Sequence, residues 1–270
     1  AMGKIRKSYG IICCRRNKTN GLEIILIKKP YTYHFCEFVA GHYRKADDTH
    51  LHKLFNNMTY HEKLDILSMK FSTLWYRIYN SNPEQSFVQN GSSHVLRQYI
   101  RKKNKFEVSF LHDNGARLKQ LISDSINVET LWEIPKGRKK ELKPDKHPER
   151  KPEANIETAI REFQEETAIN RDKYKVLWHL KPYIETYSDF GVTYQNIYYY
   201  AEAIGEWEPT IKFGNDTQIS EVADIKWCSI WQLQNLRLEP GTFKRLTCMF
   251  RKISRKYKNY KKSKCILQLS

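Results

Sequence analysis

The sequence predicts an α+β fold in which a helical insertion interrupts a sheet-containing domain. Two runs rich in β-branched residues, 8–16 and 23–30, enclose an Asn-Gly turn and predict a β-hairpin. Strand-like sequence resumes only at 129–135, and the segment between shows helical periodicity instead. The expected segments are the first part of the domain at 1–44, a helical insertion domain at 45–128, the rest of the domain at 129–242 and a basic C-terminal helix or tail at 243–270.

The remaining elements follow from local patterns. Residues 31–43 resemble a third extended run. Inside the insertion, Thr59 and Glu62 have the spacing of a capping box, and apolar residues from 64 to 78 recur at three and four, which predicts one amphipathic helix. Further expected elements are helices at 113–128, 156–169 and 230–236, strands at 175–186, 192–204 and 222–230, and loops at 80–94 and 137–152.

Composition points to a polyanionic partner. The 270 residues include 47 Lys and Arg against 30 Asp and Glu, a formal net charge of +17. Such an excess favours nucleic acid, acidic membranes or inositol phosphates. The six cysteines lack zinc-binding spacing, and no apolar run approaches the ~20 residues that span a bilayer. We therefore expect an intracellular protein that is not a membrane protein.

One short stretch gathers acidic residues against this basic background. In AIREFQEETAI, residues 159–169, a helix would place Glu162, Glu165 and Glu166 together on the side opposite a core-facing stripe. Like charges at these spacings destabilise a helix slightly, and a hard divalent cation would offset that cost. A solvated acidic face is the alternative interpretation of the same spacing.

The surrounding residues resemble the Nudix box, a glutamate-rich motif of pyrophosphate hydrolases. Gly137, Glu153 and the run 161–169 match it in order, with Glu153 eight positions before Arg161, and WEIPKG before the box is typical as well. Two departures occur: ten extra residues displace Gly137, and Ala168 replaces the last glycine. Because a Cβ disfavours a left-handed helix cap, we expect the helix to end differently here.

The resemblance implies a fold and a set of roles. Nudix hydrolases have an α/β/α sandwich and cleave a nucleoside diphosphate linked to another group. Glu162, Glu165 and Glu166 would hold Mg²⁺ or Mn²⁺, and Glu153 and Arg161 would brace the loop and the helix. Relatives of the decapping type carry another glutamate before a strand tryptophan, and Glu221 matches that place as metal ligand or general base.

The chain also resembles the mRNA-decapping enzymes of large DNA viruses from about residue 8 to 235. This resemblance implies hydrolysis of capped mRNA to m7GDP and 5′-monophosphate RNA, in the host cytoplasm if the protein is viral. Two alternatives stay open. One is a Nudix hydrolase of diphosphoinositol polyphosphates or dinucleoside polyphosphates, and the other is a non-catalytic RNA-binding scaffold.

Two basic tracts are candidates for contact with single-stranded RNA, whose phosphates favour nearby cations. The second tract also interleaves Tyr257 and Tyr260 with lysines, a pattern that suits base stacking. A merely solubilising surface would have the same composition. The candidate residues are Arg97, Arg101, Lys102, Lys103 and Lys105 in the insertion and Arg251, Lys252, Arg255, Lys256 and Lys258 in the tail.

Recognition of a cationic m7G ring requires aromatic faces. From the resemblance to viral decapping enzymes, Tyr33 or Phe35 would supply one face and Tyr194 the other. Asp189, five residues before Tyr194, would accept hydrogen bonds from the guanine edge. Packing in the core is the competing interpretation for each aromatic residue.

Overall fold

A computed structural model describes residues 5–19, 21–81, 93–140, 152–189, 192–212, 214–236, 238 and 240–269. The chain divides into two compact units, Ala1–Lys29 with Trp132–Ser270, and Pro30–Leu131. The predicted insertion lies within the second unit, which also includes residues 30–44. Most of the two predicted loops, 80–94 and 137–152, falls outside the described residues.

The first unit is built on a mixed sheet. Its strands are β1 Ile5–Arg16, β2 Leu22–Lys28, β3 Trp132–Glu133, β4 Lys136–Gly137, β5 Tyr174–Val176, β6 Tyr183–Asp189, β7 Val192–Ala203 and β8 Asp224–Ser229. The central strands run in the order β3-β2-β1-β7-β5, while β4 pairs with β1, β6 with β7 and β8 with β2. The predicted hairpin is confirmed, since β1 and β2 pair antiparallel, and β1 runs parallel to β7 with Tyr9 opposite Ile197.

Helices cover both faces of this sheet, which confirms the predicted α/β/α sandwich. Alternate residues of β1 point to opposite faces, as expected for a strand. Ile11 and Cys13 pack in the core that contains Phe163, whereas Ile12 and Cys14 pack in the core that contains Phe250. The helices of this unit are α7 Asn155–Thr167, α8 Asp216–Glu221 and α9 Pro240–Leu269, with 3-10 turns at Arg171–Lys173 and Gln232–Asn235.

The second unit is helical and has its own aromatic core. Phe38 lies at the centre of this core and its ring contacts those of Tyr43, Phe55 and Phe110. The helices are α1 Tyr33–Val39, α2 Asp48–Asn56, α3 Tyr60–Ser68, α4 Phe71–Tyr79, α5 Ser93–Phe110 and α6 Ala116–Ser123, with a 3-10 turn at His112–Gly115.

The prediction of an extended run at 31–43 was wrong, because helix α1 occupies most of it. The Thr32 side chain caps this helix by accepting a hydrogen bond from the Phe35 N–H. Phe35 and Phe38, three residues apart, are both buried. Burial of two aromatic side chains on one helical face outweighs the strand propensity of the aromatic residues.

The prediction of one helix across 64–78 was also wrong. The capping box is confirmed, since Thr59 accepts from the Glu62 N–H and the Glu62 carboxylate accepts from the Thr59 N–H. The helix that begins there ends at Ser68, and α4 begins at Phe71 after an extended Lys70. Apolar spacing continues through the break and therefore hides it. No helix of the described ranges is both long and apolar enough to cross a membrane.

Candidate active site

Helix α7 carries the glutamate-rich motif and packs on the sheet through Ala159 and Phe163, both fully buried. Glu166 was expected on the far side of this helix, but only 1% of it is exposed. The helix ends at Ala168 in a left-handed conformation with φ 54°. The expectation that alanine would change the helix end was therefore wrong, since the usual left-handed cap forms without glycine.

Arg161 connects the carboxylate of Glu153, which precedes the helix, with two carboxylates on the helix. Its guanidinium donates two hydrogen bonds to Glu153, from Nε at 2.9 Å and from Nη2 at 3.1 Å. It also donates to Glu162 at 2.7 Å and to Glu165 at 2.8 Å. A further bond to the Arg138 carbonyl oxygen fixes the loop before the helix. Hydrogen bonds from Arg161 hold the pKa of Glu153 below its usual range.

The carboxylate of Glu162 packs closely against the backbone of Gly137. A Cβ added to Gly137 would lie 2.1 Å from the Glu162 carboxyl carbon, so the carboxylate can keep this position only beside glycine. Burial raises the pKa of Glu162, and the nearby carboxylates of Glu165 and Glu221 raise it further. Glu221 is the last residue of α8, and this helix contacts α7. The Glu221 side chain is exposed. The structure thus brings three of the four predicted metal ligands into one electrostatic group.

Glu166, the fourth predicted ligand, belongs to a separate buried cluster. Its side chain forms an ion pair with Lys29 and accepts a hydrogen bond from the Lys136 N–H at 2.8 Å. Glu133 pairs with Lys136 at 2.6 Å and lies 3.8 Å from the Lys29 ammonium. Burial raises the pKa of Glu166 to about 7 even though Lys29 lowers it.

Lys29 and Glu133 are functional candidates that the sequence reasoning missed. Both are charged residues beside apolar strands, at the end of EIILIKK and inside LWEIP. A charge in such a place seldom becomes buried without a partner. A charged residue beside an apolar strand is therefore a sign of an ion pair. The sequence does not reveal the partner, because no local pattern relates residues about a hundred positions apart.

The four carboxylates are suited to divalent cations, although three of them are paired with basic side chains. Among the described residues, no three His, Cys, Asp or Glu side chains are arranged so that they could hold a metal ion. Glu162 and Glu165 are turned toward Arg161, and Glu166 toward Lys29. The space that Gly137 leaves for Glu162 and the mutual repulsion within the first group fit a site for a hard cation with oxygen ligands.

The predicted cap-binding residues divide between the two units. Tyr33, in the helical unit, is half exposed, whereas Phe35 is fully buried in that core and offers no face to a ligand, which corrects the Phe35 prediction. Tyr194 stacks on Tyr187 with ring centroids 5.2 Å apart. The Asp189 backbone pairs with Val192, and its side chain lies outside what the structure describes.

The predicted RNA-binding residues on α5 are not equivalent. Arg97 and Arg101 are exposed, whereas Lys103 is partly buried. Lys105 donates to the carbonyl oxygens of Gly41 and Tyr43, so it also closes the loop after α1. Burial and neighbouring cations lower the pKa of Lys102 and Lys105. The arginines are therefore the better-placed candidates on this helix.

Helix α9 presents a basic stripe outward and an apolar stripe to the sheet. Its exposed cations include Lys244, Arg251, Lys252, Arg255 and Lys258, whereas Lys256 is partly buried and donates to the Lys181 carbonyl oxygen. The proposed stacking role of Tyr257 was wrong. This ring is buried and its hydroxyl donates to Glu202 at 2.8 Å. Tyr260 is partly buried and contacts the His179 ring.

Comparison with known proteins finds similarity to a domain family and to viral proteins. A family model described as NUDIX domain matches residues 119–247. The mRNA-decapping protein of African swine fever virus (isolate Warthog/Namibia) is 34% identical over 250 residues, which is 88% of this chain and 93% of that protein. The mRNA-decapping protein of another isolate of the same virus (Tick/South Africa) is also 34% identical, over 88% of this chain and 91% of that protein. A match of this extent includes residues of both units.

Among solved structures, an Ap4A hydrolase from C. elegans is similar at a TM-score of 0.41 and 12% identity. The superposition covers 92% of this chain and 95% of that chain.

Proposed function

The chain belongs to the Nudix hydrolase family, and we propose that it removes the cap from mRNA by hydrolysing the cap pyrophosphate. The products are m7GDP and RNA with a 5′-monophosphate. The observation that carries the proposal is the 34% identity with viral mRNA-decapping proteins over 88% of this chain. The net charge of +17 supports it, because each phosphate along an RNA favours a nearby cation. For a viral protein, the host cytoplasm is the compartment where capped mRNA is available.

Glu162, Glu165, Glu166 and Glu221 are the residues that would hold Mg²⁺ or Mn²⁺. Nudix hydrolases generally use divalent ions, which polarise phosphoryl oxygens and lower the pKa of bound water when present. Gly137 supports this assignment by leaving space for the Glu162 carboxylate. Glu221 is exposed and is also our candidate for the general base that accepts a proton from water.

Glu153 and Arg161 act through position rather than chemistry. Their two hydrogen bonds join the segment before α7 to the helix, and the same guanidinium orients Glu162 and Glu165. This arrangement keeps two carboxylates on one side of the helix before a cation binds. Such preorganisation lowers the cost of assembling a site.

The RNA body is proposed to contact exposed cations of α5 and α9. The proposed contacts are Arg97 and Arg101 on α5 and, among the exposed cations of α9, Arg251, Lys252, Arg255 and Lys258. For the cap, Tyr33 in one unit and Tyr194 in the other remain separate proposals for a residue that stacks on the m7G ring. Tyr33 keeps half of its surface exposed, and Tyr187 already stacks on one side of Tyr194.

The decisive assay uses RNA labelled in its m7G cap, with Mn²⁺ or Mg²⁺ and chromatographic separation of the products. We expect release of m7GDP by the wild type and its loss in Glu165→Gln with RNA affinity unchanged. Glu157→Gln, on the same helix but outside the carboxylate group, is the matched control and should remain active. Absence of m7GDP release by the wild type would refute the proposal. The same assay with diphosphoinositol and dinucleoside polyphosphates tests the alternative substrates.

A further inference from the structure

Two lysines and two glutamates form a buried cluster where strands β2, β3 and β4 meet helix α7. Lys29 directly follows β2, and Glu133 lies on β3, which pairs with β2 so that Ile27 stands opposite Glu133. Lys136 comes from β4, and Glu166 comes from α7. Side-chain exposure is 16% for Lys29, 10% for Lys136, 4% for Glu133 and 1% for Glu166.

Within this cluster, the Lys29 ammonium stands between two carboxylates. It is paired with Oε1 of Glu166 and lies 3.8 Å from Oε1 of Glu133. The other oxygen of each carboxylate is bound to Lys136, Oε2 of Glu133 to its ammonium at 2.6 Å and Oε2 of Glu166 to its N–H at 2.8 Å. The Lys29 ammonium therefore faces one oxygen of each carboxylate, and it is paired more closely with Glu166 than with Glu133.

A divalent cation at Glu166 would compete with Lys29 directly. Both would use the same carboxylate, and their charges repel strongly in a buried, weakly screened site. Lys29 cannot simply remain buried without a carboxylate, because an unpaired buried ammonium is costly. Glu133 is a carboxylate that already lies 3.8 Å from the ammonium, and rotation about the lysine side-chain bonds is enough to bring the two into contact.

We propose that Lys29 is the resident counter-ion of Glu166 and that Glu133 receives its ammonium group when a divalent cation binds. The inference rests on the metal site proposed above. Lys29 and Glu133 are then positioning residues, which act on the cation only through Glu166. Lys136 stays in place, since its ammonium binds Glu133 and its backbone N–H binds Glu166.

A double-mutant cycle on Mn²⁺ affinity, measured without RNA by calorimetry or by the EPR signal of free Mn²⁺, tests this transfer. At pH 8, we expect Lys29→Met to bind Mn²⁺ about tenfold more tightly, because the substitution removes a competing buried charge. We expect Glu133→Gln to bind Mn²⁺ about tenfold more weakly, as is usual when a residue next to a metal ligand is replaced. The specific expectation concerns Lys29→Met/Glu133→Gln. If Glu133 acts by receiving Lys29, its substitution changes affinity less than about twofold once Lys29 is absent.

Equal effects of Glu133→Gln in the presence and absence of Lys29 would overturn the transfer and leave only a general field effect. Unchanged or weaker Mn²⁺ binding in Lys29→Met would overturn the competition itself. Lys261→Met removes the same charge from a pair with Glu202 on a different element and should leave Mn²⁺ affinity unchanged. Thermal unfolding in EDTA verifies that each variant folds, and Lys29→Gln replaces Lys29→Met if that variant does not.

This experiment separates the transfer from the proposed function. Mn²⁺ affinity is measured on the full chain in the absence of any substrate. If the Mn²⁺ affinities of the four proteins follow the expected cycle but the wild type does not hydrolyse capped RNA, the transfer stands and only decapping is refuted. If the wild type releases m7GDP but the affinities do not follow the cycle, decapping stands and only the transfer is refuted.

Discussion

Ala168 ends α7 in a backbone conformation that residues with a Cβ seldom adopt. Its φ of 54° is left-handed, and its N–H still donates to the Gln164 carbonyl oxygen at 2.9 Å. Ala168→Gly should stabilise the protein by about 0.5–1 kcal/mol, because relief of the left-handed strain exceeds the added entropy of the unfolded chain. Urea unfolding gives the value. Ala116→Gly, at an ordinary helical φ of −53°, should destabilise instead, and a destabilised Ala168→Gly would contradict the strain argument.

Glu166 makes the stability of the metal-free protein depend on pH. Burial raises its folded-state pKa from 4.5 to about 7, so the folded protein binds this proton more tightly than the unfolded chain. The stability that protonated Glu166 contributes is therefore complete below pH 4.5 and is lost as the pH rises through 7. The loss is up to about 3 kcal/mol.

Glu166→Gln should remove this dependence. In EDTA, the variant should gain stability relative to the wild type between pH 5 and pH 8, because its amide carries no proton to lose. Urea unfolding at several pH values gives the difference between the two proteins. A difference that stays constant across this range would show that the carboxyl group of Glu166 does not titrate there.

Sequence alone predicts short-range partners at the residue scale and misses long-range ones. Glu153 and Arg161 could be paired from their eight-residue spacing in the box, and the structure joins them by two hydrogen bonds. Glu166 and Lys29 could not be paired, because strand order rather than spacing brings them together. The burial of Glu166 was missed for the same reason, since β2 and β4 supply its neighbours.

At the scale of the element, the boundaries of helices were the least predictable feature. Helix α1 replaced an expected extended run because its aromatic residues bury on one face, a tertiary effect that local propensity does not contain. Helix α7 was predicted nearly to its ends because box and helix coincide. Elements fixed by a motif were therefore predictable, whereas elements fixed by packing were not.

The outward stripe of α9 gives an element-scale prediction. Arg251, Arg255 and Lys258 are exposed and lie at intervals of four and three, on one side of the helix, while Ile253 and Tyr257 pack inward. Replacing these three cations by glutamine should weaken RNA binding and reduce the slope of log K against log salt by up to about 2, at about 0.7 per lost phosphate contact. Filter binding or fluorescence anisotropy at several salt concentrations measures both quantities.

A matched triple variant controls for the loss of net charge. Lys45, Lys70 and Lys119 are exposed and lie outside both predicted RNA-binding tracts, so glutamine at these positions removes the same charge. The control should change the slope much less than the α9 variant. If the slope of log K against log salt is the same in the two variants, α9 contributes to RNA binding only through the total charge of the protein. Substitution is preferable to deletion here, since removal of residues after 250 would also remove Ile253 and Tyr257 from the core.

At the scale of the whole molecule, the proposed metal ligands and two of the proposed RNA-binding arginines belong to different units. Every carboxylate proposed to hold a cation belongs to the unit formed by Ala1–Lys29 and Trp132–Ser270, whereas Arg97 and Arg101 belong to Pro30–Leu131. The core of Pro30–Leu131 contains Phe38, Phe55 and Phe110, all from its own helices.

Because that core is complete in itself, residues 30–131 expressed alone should fold and unfold cooperatively in urea. The fragment should bind single-stranded RNA more weakly than the full chain and should release no m7GDP, since it lacks all four glutamates. Circular dichroism, anisotropy and the cap-release assay give these three results. A fragment that stays unfolded would show that its core depends on the other unit, and a folded fragment with no RNA affinity would confine RNA binding to the catalytic unit.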